Sequence, residues 1–453
     1  MPGSASASVV LVLRSEPSRG GRSGDGGTRR LGRDFWLYFV GQGLSQLGSS
    51  FTTFALPLLV FELTHSAADL AVTTAASFLP YLLFGLLLGA VVDRVDRRRM
   101  MLRTDLGRAA VIAVLPVLSL LGDLAIWQVY AVTFVQSTLG ILFDCGELAA
   151  IPSLVDGDEL ITANARIMAT NNAGPILGPT LAGALVAFVP ASRLLFFDAG
   201  SFIVSAATLA TIHRSFNPAG GPPARAGRVL RQLFAEVREG LAYVWHHPVL
   251  RAVSLMMALV NFVYATASAQ LVLFAGTALH ASRPEIGFLF ACGAAGIVVV
   301  SLLAGPARRH LSFAVTALGA LVVSGLALTA MALLRSYPAA LVLWGASSGF
   351  GLLLNINTGA LRQAIVPPEL LGRVVSVARV IAWSAIPLGS IAGAAAIGAT
   401  SVTTVYAAIG VLVAAIAVGF ARSPLRKGDL YIAAARGQSA TTAGDVSDAL
   451  APQ

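Results

Sequence analysis

Gly89-Ala90-Val91-Val92-Asp93-Arg94-Val95-Asp96-Arg97-Arg98-Arg99 is the stretch on which the fold is read. An apolar run of helix length, 70–92, ends there in an acid followed by a cluster of arginines. Positive residues are retained on the cytoplasmic side of a membrane, so the junction reads as the cytoplasmic end of a transmembrane helix.

The rest of the chain agrees. Its 453 residues are 56% hydrophobic and 12% charged, far too apolar for a soluble globular protein. A mean hydropathy of +0.78, with repeated runs long enough to cross a hydrocarbon layer of about 30 Å, indicates a polytopic membrane protein. The formal charge of +9 does not signify nucleic-acid binding, because of where the charges lie. With sides assigned to the loops, Arg193, Arg283 and Arg335 fall outside, while every other arginine and the single lysine, Lys427, is read as inside or in a tail. That asymmetry is the positive-inside pattern. Cys145 and Cys292 both sit in apolar runs, so no disulfide framework is implied. Abundant Ala, Gly and Arg point to a GC-rich bacterial genome, and hence to the bacterial cytoplasmic (inner) membrane.

Residues 1–33, rich in Gly, Ser and Arg, read as a disordered cytoplasmic tail. Six spans follow at about 35–61, 70–92, 105–121, 126–150, 165–189 and 194–212, making an N-terminal half over 34–212. Residues 213–248 break the pattern with a Pro/Gly-rich segment. In it Leu230, Leu233, Phe234, Val237, Leu241 and Val244 share one helical stripe, an amphipathic linker helix on the cytoplasmic membrane surface. Six more spans, about 249–275, 285–304, 311–334, 338–360, 372–398 and 402–421, make a C-terminal half over 249–421, and 422–453 is a polar cytoplasmic tail. Twelve spans put both termini on the cytoplasmic side. The halves echo each other: Asp158-Glu159-Leu160-Ile161 matches Pro368-Glu369-Leu370-Leu371, and Pro175, Gly178 and Gly183 have counterparts in Pro387, Gly389 and Gly393.

Three acids lie inside spans: Asp144, Glu147 and Asp198. An ionisable side chain in hydrocarbon costs about 2.5–3.5 kcal/mol on the insertion scale, so each invites a functional reading. Asp144 and Glu147 are three apart on the fourth span and share a face, an arrangement suited to carrying a proton. Asp198 is read near the outer end of the sixth span, within reach of water or Arg193. In the first span Gln42, Ser45, Gln46 and Ser49 form one polar face. In the fifth, Gly174, Gly178 and Ala182 make a smooth stripe for close helix approach, with Pro175 and Pro179 removing amide donors. Gln42, Gln46, Asn171, Asn172, Asn261, Gln270, Asn355 and Asn357 place amides in or near spans of both halves, and Phe262, Tyr264, Trp344 and Trp383 add aromatic surface. There is no phosphate-binding GxxxxGK[ST] loop, no metal-ligand spacing and no nucleophile–base arrangement, so neither an enzyme nor a cofactor is expected.

The block Gly89, Asp93, Arg94, Arg97 and Arg98 resembles the loop signature between the second and third spans of the major facilitator superfamily, with Asp96 where that pattern has glycine. By resemblance, Asp93 helps hold an inward-closed gate, with Arg94, Arg97 and Arg98 as its partners or as contacts to anionic lipid. Gly174-Pro175-Ile176-Leu177-Gly178-Pro179 and Gly183 resemble the glycine-proline signature of that family's proton-coupled exporters. The resemblance implies an all-helical, twelve-span bundle of two six-helix halves with a substrate cavity between them, where the amides would bind cargo. Leu44-Ser45-Gln46-Leu47-Gly48-Ser49, Ile151-Pro152-Ser153-Leu154-Val155 and Phe197-Asp198-Ala199-Gly200-Ser201-Phe202 look like the macrolide-efflux and enterobactin-exporter branch. That likeness, over about 34–421, implies a monomeric exporter of a medium-sized amphiphilic molecule driven by protons. An importer or lysolipid flippase of the same fold, or a transport-inactive sensor or scaffold, remains open from the residues alone.

Overall fold

The computed structural model describes residues 31–92, 95–155, 159–214, 216 and 226–435, which form helices and no strand. Six come first: α1 (Arg33–Thr64), α2 (Ala67–Val92), α3 (Arg97–Leu121), α4 (Ile126–Leu154), α5 (Leu160–Leu185) and α6 (Ala191–Thr211). After α7 (Ala226–His246) come α8 (Pro248–Ala269), α9 (Leu271–Ala278), α10 (Arg283–His310) and α11 (Phe313–Leu334). The chain goes on through α12 (Tyr337–Ile365), α13 (Pro368–Ala399), α14 (Val402–Phe420) and α15 (Gly428–Ala435). Hydrocarbon offers no partner to a backbone amide, so every crossing must satisfy its own hydrogen bonds as a helix. Among the described residues eleven helices are long and apolar enough to cross a membrane. The twelfth, α5, is 26 residues long. Its more polar sequence is packed between α1 and α10. α8 and α9 form one crossing interrupted at Gln270, and α7 is the linker helix.

The loop that decides the fold has its own local chemistry. Asp96 caps α3, its side chain accepting from the Arg99 amide at 2.9 Å. An aspartate where the family pattern has glycine therefore serves as an N-cap. Arg98 donates from Nε to the Leu209 carbonyl at 2.9 Å and from its Nη2 to that of Ala210 at 2.6 Å. Arg97 donates to the Phe216 carbonyl at 3.4 Å. Arg98 thus sits at the C-terminal end of α6, where carbonyls point outward and positive charge is favoured, and Arg97 holds the segment that follows it. Asp93, Arg94 and the surroundings of Gly89 lie outside the described residues.

The helix pairings repeat from half to half. In the first, α1 packs on α5 and α6, α3 on α4 and α6, and α2 on α4. In the second, α8 packs on α13 and α14, α11 on α12 and α14, and α10 on α12. Shifting by six crossings maps one set onto the other, the parallel repeat of this architecture. The echoed glycines take equivalent places: Gly178 lies against the Ser50 backbone of α1, and Gly389 against the Phe262 backbone of α8. Between halves, the extensive contacts are α2 on α13 and α5 on α10, again related by the repeat.

The halves are joined most closely at the end away from the arginine loop. There the Cα atoms of Gly183 on α5 and Gly287 on α10 approach so closely that a Cβ on either would overlap the other's backbone. Arg283 pairs with Glu62 at 2.6 Å, the Gln270 amide donates to the Ala67 carbonyl at 2.8 Å, and Ser390 donates to that of Ala71 at 3.4 Å. The main apolar core runs through both halves here. At the arginine-rich end, Phe35, Tyr38, Met101, Phe143 and Phe216 form a separate core within the first half.

Part of the expected polar tail is structured. Asp429 on α15 accepts from the Phe313 amide at 2.9 and 2.8 Å, supplementing the Ser312 cap of α11, and Leu425 is fully buried. The third crossing also begins earlier than expected, at Arg97 rather than 105.

Gly287→Val is expected to lower stability by about 1–3 kcal/mol through overpacking, read as a fall in the thermal unfolding midpoint of purified protein. Gly200→Ala, with nothing near an added Cβ, should not lower it. Asp429→Ala should cost about 0.5–2 kcal/mol through loss of the second cap on α11, seen in the same assay.

Candidate functional site

Between the halves lies a cavity of about 490 Å³ whose wall includes Arg108 of α3, Gln136 and Asp144 of α4, and Asp198 of α6. Through Thr53, Ser268 and Phe290 it joins a second lobe of about 390 Å³, walled by Asn261, Tyr264, Trp344 and Asn355. The first lobe is built from the N-terminal half and is charged and hydroxyl-rich. The second is mostly C-terminal and aromatic. Tyr264 and Trp344 are stacked with centroids 6.5 Å apart, and the Tyr264 hydroxyl meets that of Ser347 at 3.2 Å.

The polar face of α1 organises the charged lobe, because residues 38, 42, 49 and 52 recur at helical spacing and point at α4 and α6. The Tyr38 hydroxyl donates to Glu147 Oε1 at 3.1 Å. Gln42 Nε2 donates to Ser205 at 3.0 Å, and Ser205 in turn donates to Asp105 Oδ2 at 2.6 Å. Ser49 at 3.3 Å and Thr52 donate to Asp198. Asp198 is 1% exposed and is held by these hydroxyls of α1, not by Arg193. Asp144 is exposed, and what it faces is the cavity.

At the centre is Arg108. Its guanidinium lies 4.0 Å from the centroid of Phe202 and 5.9 Å from that of Phe143, a cation–π arrangement strengthened by exclusion of water. Asp105, Asp144, Glu147 and Asp198 all lie within electrostatic range of it, and Asp144 lies within range of Arg379 as well. Buried Arg108 Nε and Asp105 Oδ1 have no hydrogen-bond partner among the described residues, nor do either of the amide atoms of Gln136. Unmet polar atoms beside a cavity mark places for water or cargo.

Arg108, Asp105 and Gln136 were not singled out in the sequence. Arg108 is in the cavity wall and not at a cytoplasmic surface, so the assignment of all remaining arginines to loops and tails is corrected. The signal was present: an acid and a base three residues apart, on one face, inside a helix that then runs apolar to Leu121.

The amides divide. Asn261 and Asn355 line the aromatic lobe, although Asn261 also donates to the Ala382 carbonyl at 2.9 Å. Asn357 is buried and donates to Leu353 of its own helix at 2.8 Å. Gln270 bridges the halves, and Gln42 supports Asp105 through Ser205. Gln46 packs under Gly174. The side chains of Asn171, Asn172 and Pro175 lie outside the described set. The fifth-span motif spreads over three neighbours: Gly174 and Gly178 face α1, Pro179 lines the aromatic lobe and Gly183 meets Gly287. Of the four aromatics, Tyr264 and Trp344 line that lobe, while Trp383 lines a chamber of about 200 Å³ with Tyr81, Asp144 and Arg379.

The profile of the transmembrane secretion effector family matches residues 33–446. Multidrug efflux pump Tap of Mycolicibacterium fortuitum is 31% identical over 76% of this chain and 84% of its own length. Macrolide efflux protein A of Streptococcus pyogenes is 28% identical over 85% and 94%. Among solved structures, the nucleoside transporter NupG superposes with a TM-score of 0.68 at 13% identity, covering 86% of this chain and 99% of that one. A bacterial homologue of the human lysosomal transporter Spinster, inward-facing and unoccupied, gives 0.65 at 15%, covering 89% and 95%. These solved structures share the fold, and the sequence relatives are efflux proteins. The chain belongs to the major facilitator superfamily, in its transmembrane secretion effector family and on the macrolide-efflux branch.

Proposed function

We propose that this protein exports a medium-sized amphiphilic organic molecule, such as an antibiotic, siderophore or secondary metabolite, in exchange for protons. The observation that carries the reading is the group of acids around Arg108: Asp144 and Asp198 line the wall of a cavity between two halves with it, Asp105 and Glu147 lie behind that wall, and Arg379 faces Asp144 from the adjoining chamber. Four carboxyl groups face two guanidinium groups, Arg108 and Arg379, and proton binding supplies the missing positive charge. The arginine-rich end is taken as cytoplasmic. The contacts of Glu62 with Arg283 and of Gly183 with Gly287 then close the outer end, and cargo loads from within.

Coupling follows if protonation changes the energies of the inward and outward states by different amounts. Asp144, open to the cavity, is placed to exchange a proton with water. Glu147 and Asp198, tied to hydroxyls of α1, are placed to pass the change in charge to that helix. Arg108 is the common counter-ion. Cargo with polar and apolar faces would meet the charged lobe on one side and the Tyr264–Trp344 platform on the other. Arg97 and Arg98, beyond holding α6 and the segment after it, sit where anionic headgroups of the cytoplasmic leaflet would contact them.

The test is accumulation of macrolides and catecholate siderophores in an efflux-deficient bacterial host expressing the protein, with and without a protonophore. Lower accumulation that the protonophore abolishes is expected, and energy-independent or inward flux would sink the reading. Asp144→Asn and Glu147→Gln, at unchanged membrane abundance, should slow proton-driven export at least about tenfold, a change of about 1.4 kcal/mol in barrier. Arg108→Ala should lose export to a similar degree. Arg108→Lys, which keeps the charge but not the flat guanidinium over Phe202, should restore it only in part.

A further inference from the structure

We infer that amphiphilic cargo reaches the central cavity sideways from the bilayer, through an apolar groove between α7 and α13. This deepens the export reading and rests on it, since it assigns that cargo a route and a first binding site.

The groove has a volume of about 410 Å³ and is walled mainly by Val237 and Leu241 of α7 and by Val377, Val380 and Ile381 of α13. At its inner edge Ser376 and Val380 also line the chamber of about 200 Å³ between α2, α4 and α13. That chamber shares Phe78, Tyr81 and Asp144 with the charged lobe. Groove, chamber and cavity are thus consecutive spaces with shared walls, and the side chain at the first junction, Ser376, is small.

The surroundings of the groove are those of a membrane surface. Leu241 and Trp245 of α7 are 43% and 53% exposed, and Leu82 and Leu83 of α2 are 49% and 48% exposed. Apolar side chains exposed on an amphipathic helix beside spanning helices are suited to the boundary between headgroups and acyl chains. The groove is held open as well as covered: Arg373 of α13 pairs with Glu239 at 2.6 Å and Glu236 at 3.7 Å on α7, and Gly240 lets α7 rest on the Arg373 backbone.

Chemistry changes along the path in the order an amphiphile requires. The groove is mainly apolar, with Glu236, Arg373 and Ser376 as the polar members of its wall. In the chamber Arg379 lies 5.1 Å from the Trp383 ring centroid, and Tyr81 meets the same ring edge-on at 5.2 Å. Asp144 stands at the far side. An amphiphile entering polar end first would trade headgroup partners for Arg379 and Asp144 while its apolar body stayed in the groove. The occupant is therefore a bilayer-partitioned molecule with one polar end, not a freely water-soluble one.

The native thiols allow a test that needs no pump activity. In a Cys292→Ser background, Cys145, which lines the chamber, is the sole thiol. Proteoliposomes of the full-length protein are treated with N-dodecylmaleimide, dissolved in the bilayer, or with a small sulfonated maleimide confined to water. N-dodecylmaleimide should alkylate Cys145. Val380→Trp and, independently, Ser376→Phe should abolish that reaction while the sulfonated reagent still reaches Cys145 through the cavity. Leu388→Trp, on an exposed part of α13 away from the groove, should change neither. Failure of the alkyl reagent to label the parent, equal alkyl labelling in parent and blocked variants, or parallel loss of both reagents in both variants would overturn the route. A protein that passes but exports nothing leaves the route standing and removes the export reading. Erythromycin export undiminished in both blocked variants removes the route and keeps export.

Discussion

Hydrocarbon gives Arg108 and its four acids no partner, and most of the interior follows from meeting that demand. A charge left facing lipid costs several kcal/mol, so it must turn inward toward water, another charge or a donor. Here the acids are spread over α3, α4 and α6 and their hydroxyl partners over α1 and α6, which makes this part of the N-terminal half a polar assembly. Phe202 and Phe143 complete it, offering ring faces to Arg108. Because Tyr38, Ser49 and Thr52 of α1 donate to Glu147 and Asp198, a change of charge on either acid acts on the same helix. That helix also carries Glu62, the residue paired with Arg283 across the closed end.

Helix association in a bilayer lacks the hydrophobic drive of water, so it depends on backbones approaching closely. The glycines of α5 are distributed accordingly, with Gly174 and Gly178 toward α1 inside the half and Gly183 toward Gly287 across the halves. One helix therefore has a face for permanent packing and a face for the contact that must break if the outer end opens. The C-terminal half repeats the permanent part at Gly389 and Gly393 against α8. Among the described residues the polar ties between the halves include the Glu62–Arg283 pair and the bonds from Gln270 and Ser390 to carbonyls of α2.

Much of this was legible from residue order. Runs of apolar residues gave the crossings, and the stripe at Gly174 and Gly178 announced a close contact. The acids Asp144, Glu147 and Asp198 stood out because charge is rare in such runs. Asp105 and Arg108 did not, since they follow closely on the basic loop and look continuous with it. The amides show the opposite difficulty. Asn357 and Asn355 are two residues apart on α12, yet one is buried against its own backbone and the other lines the cavity. A periodic pattern identifies a face but not what lies opposite.

By itself the sequence determined the class of solvent, the number of crossings, the repeat and the family, because each is a property of local composition and period that a bilayer enforces segment by segment. Only the tertiary structure decided which acids share Arg108, that Asp198 turns to Ser49 and Thr52 instead of Arg193, and that Gly183 meets Gly287. It also decided that a groove beside α13 shares wall residues with a chamber next to the cavity. Those depend on helix rotation and on distances between residues on different helices, which packing of facing side chains sets and which no local pattern encodes.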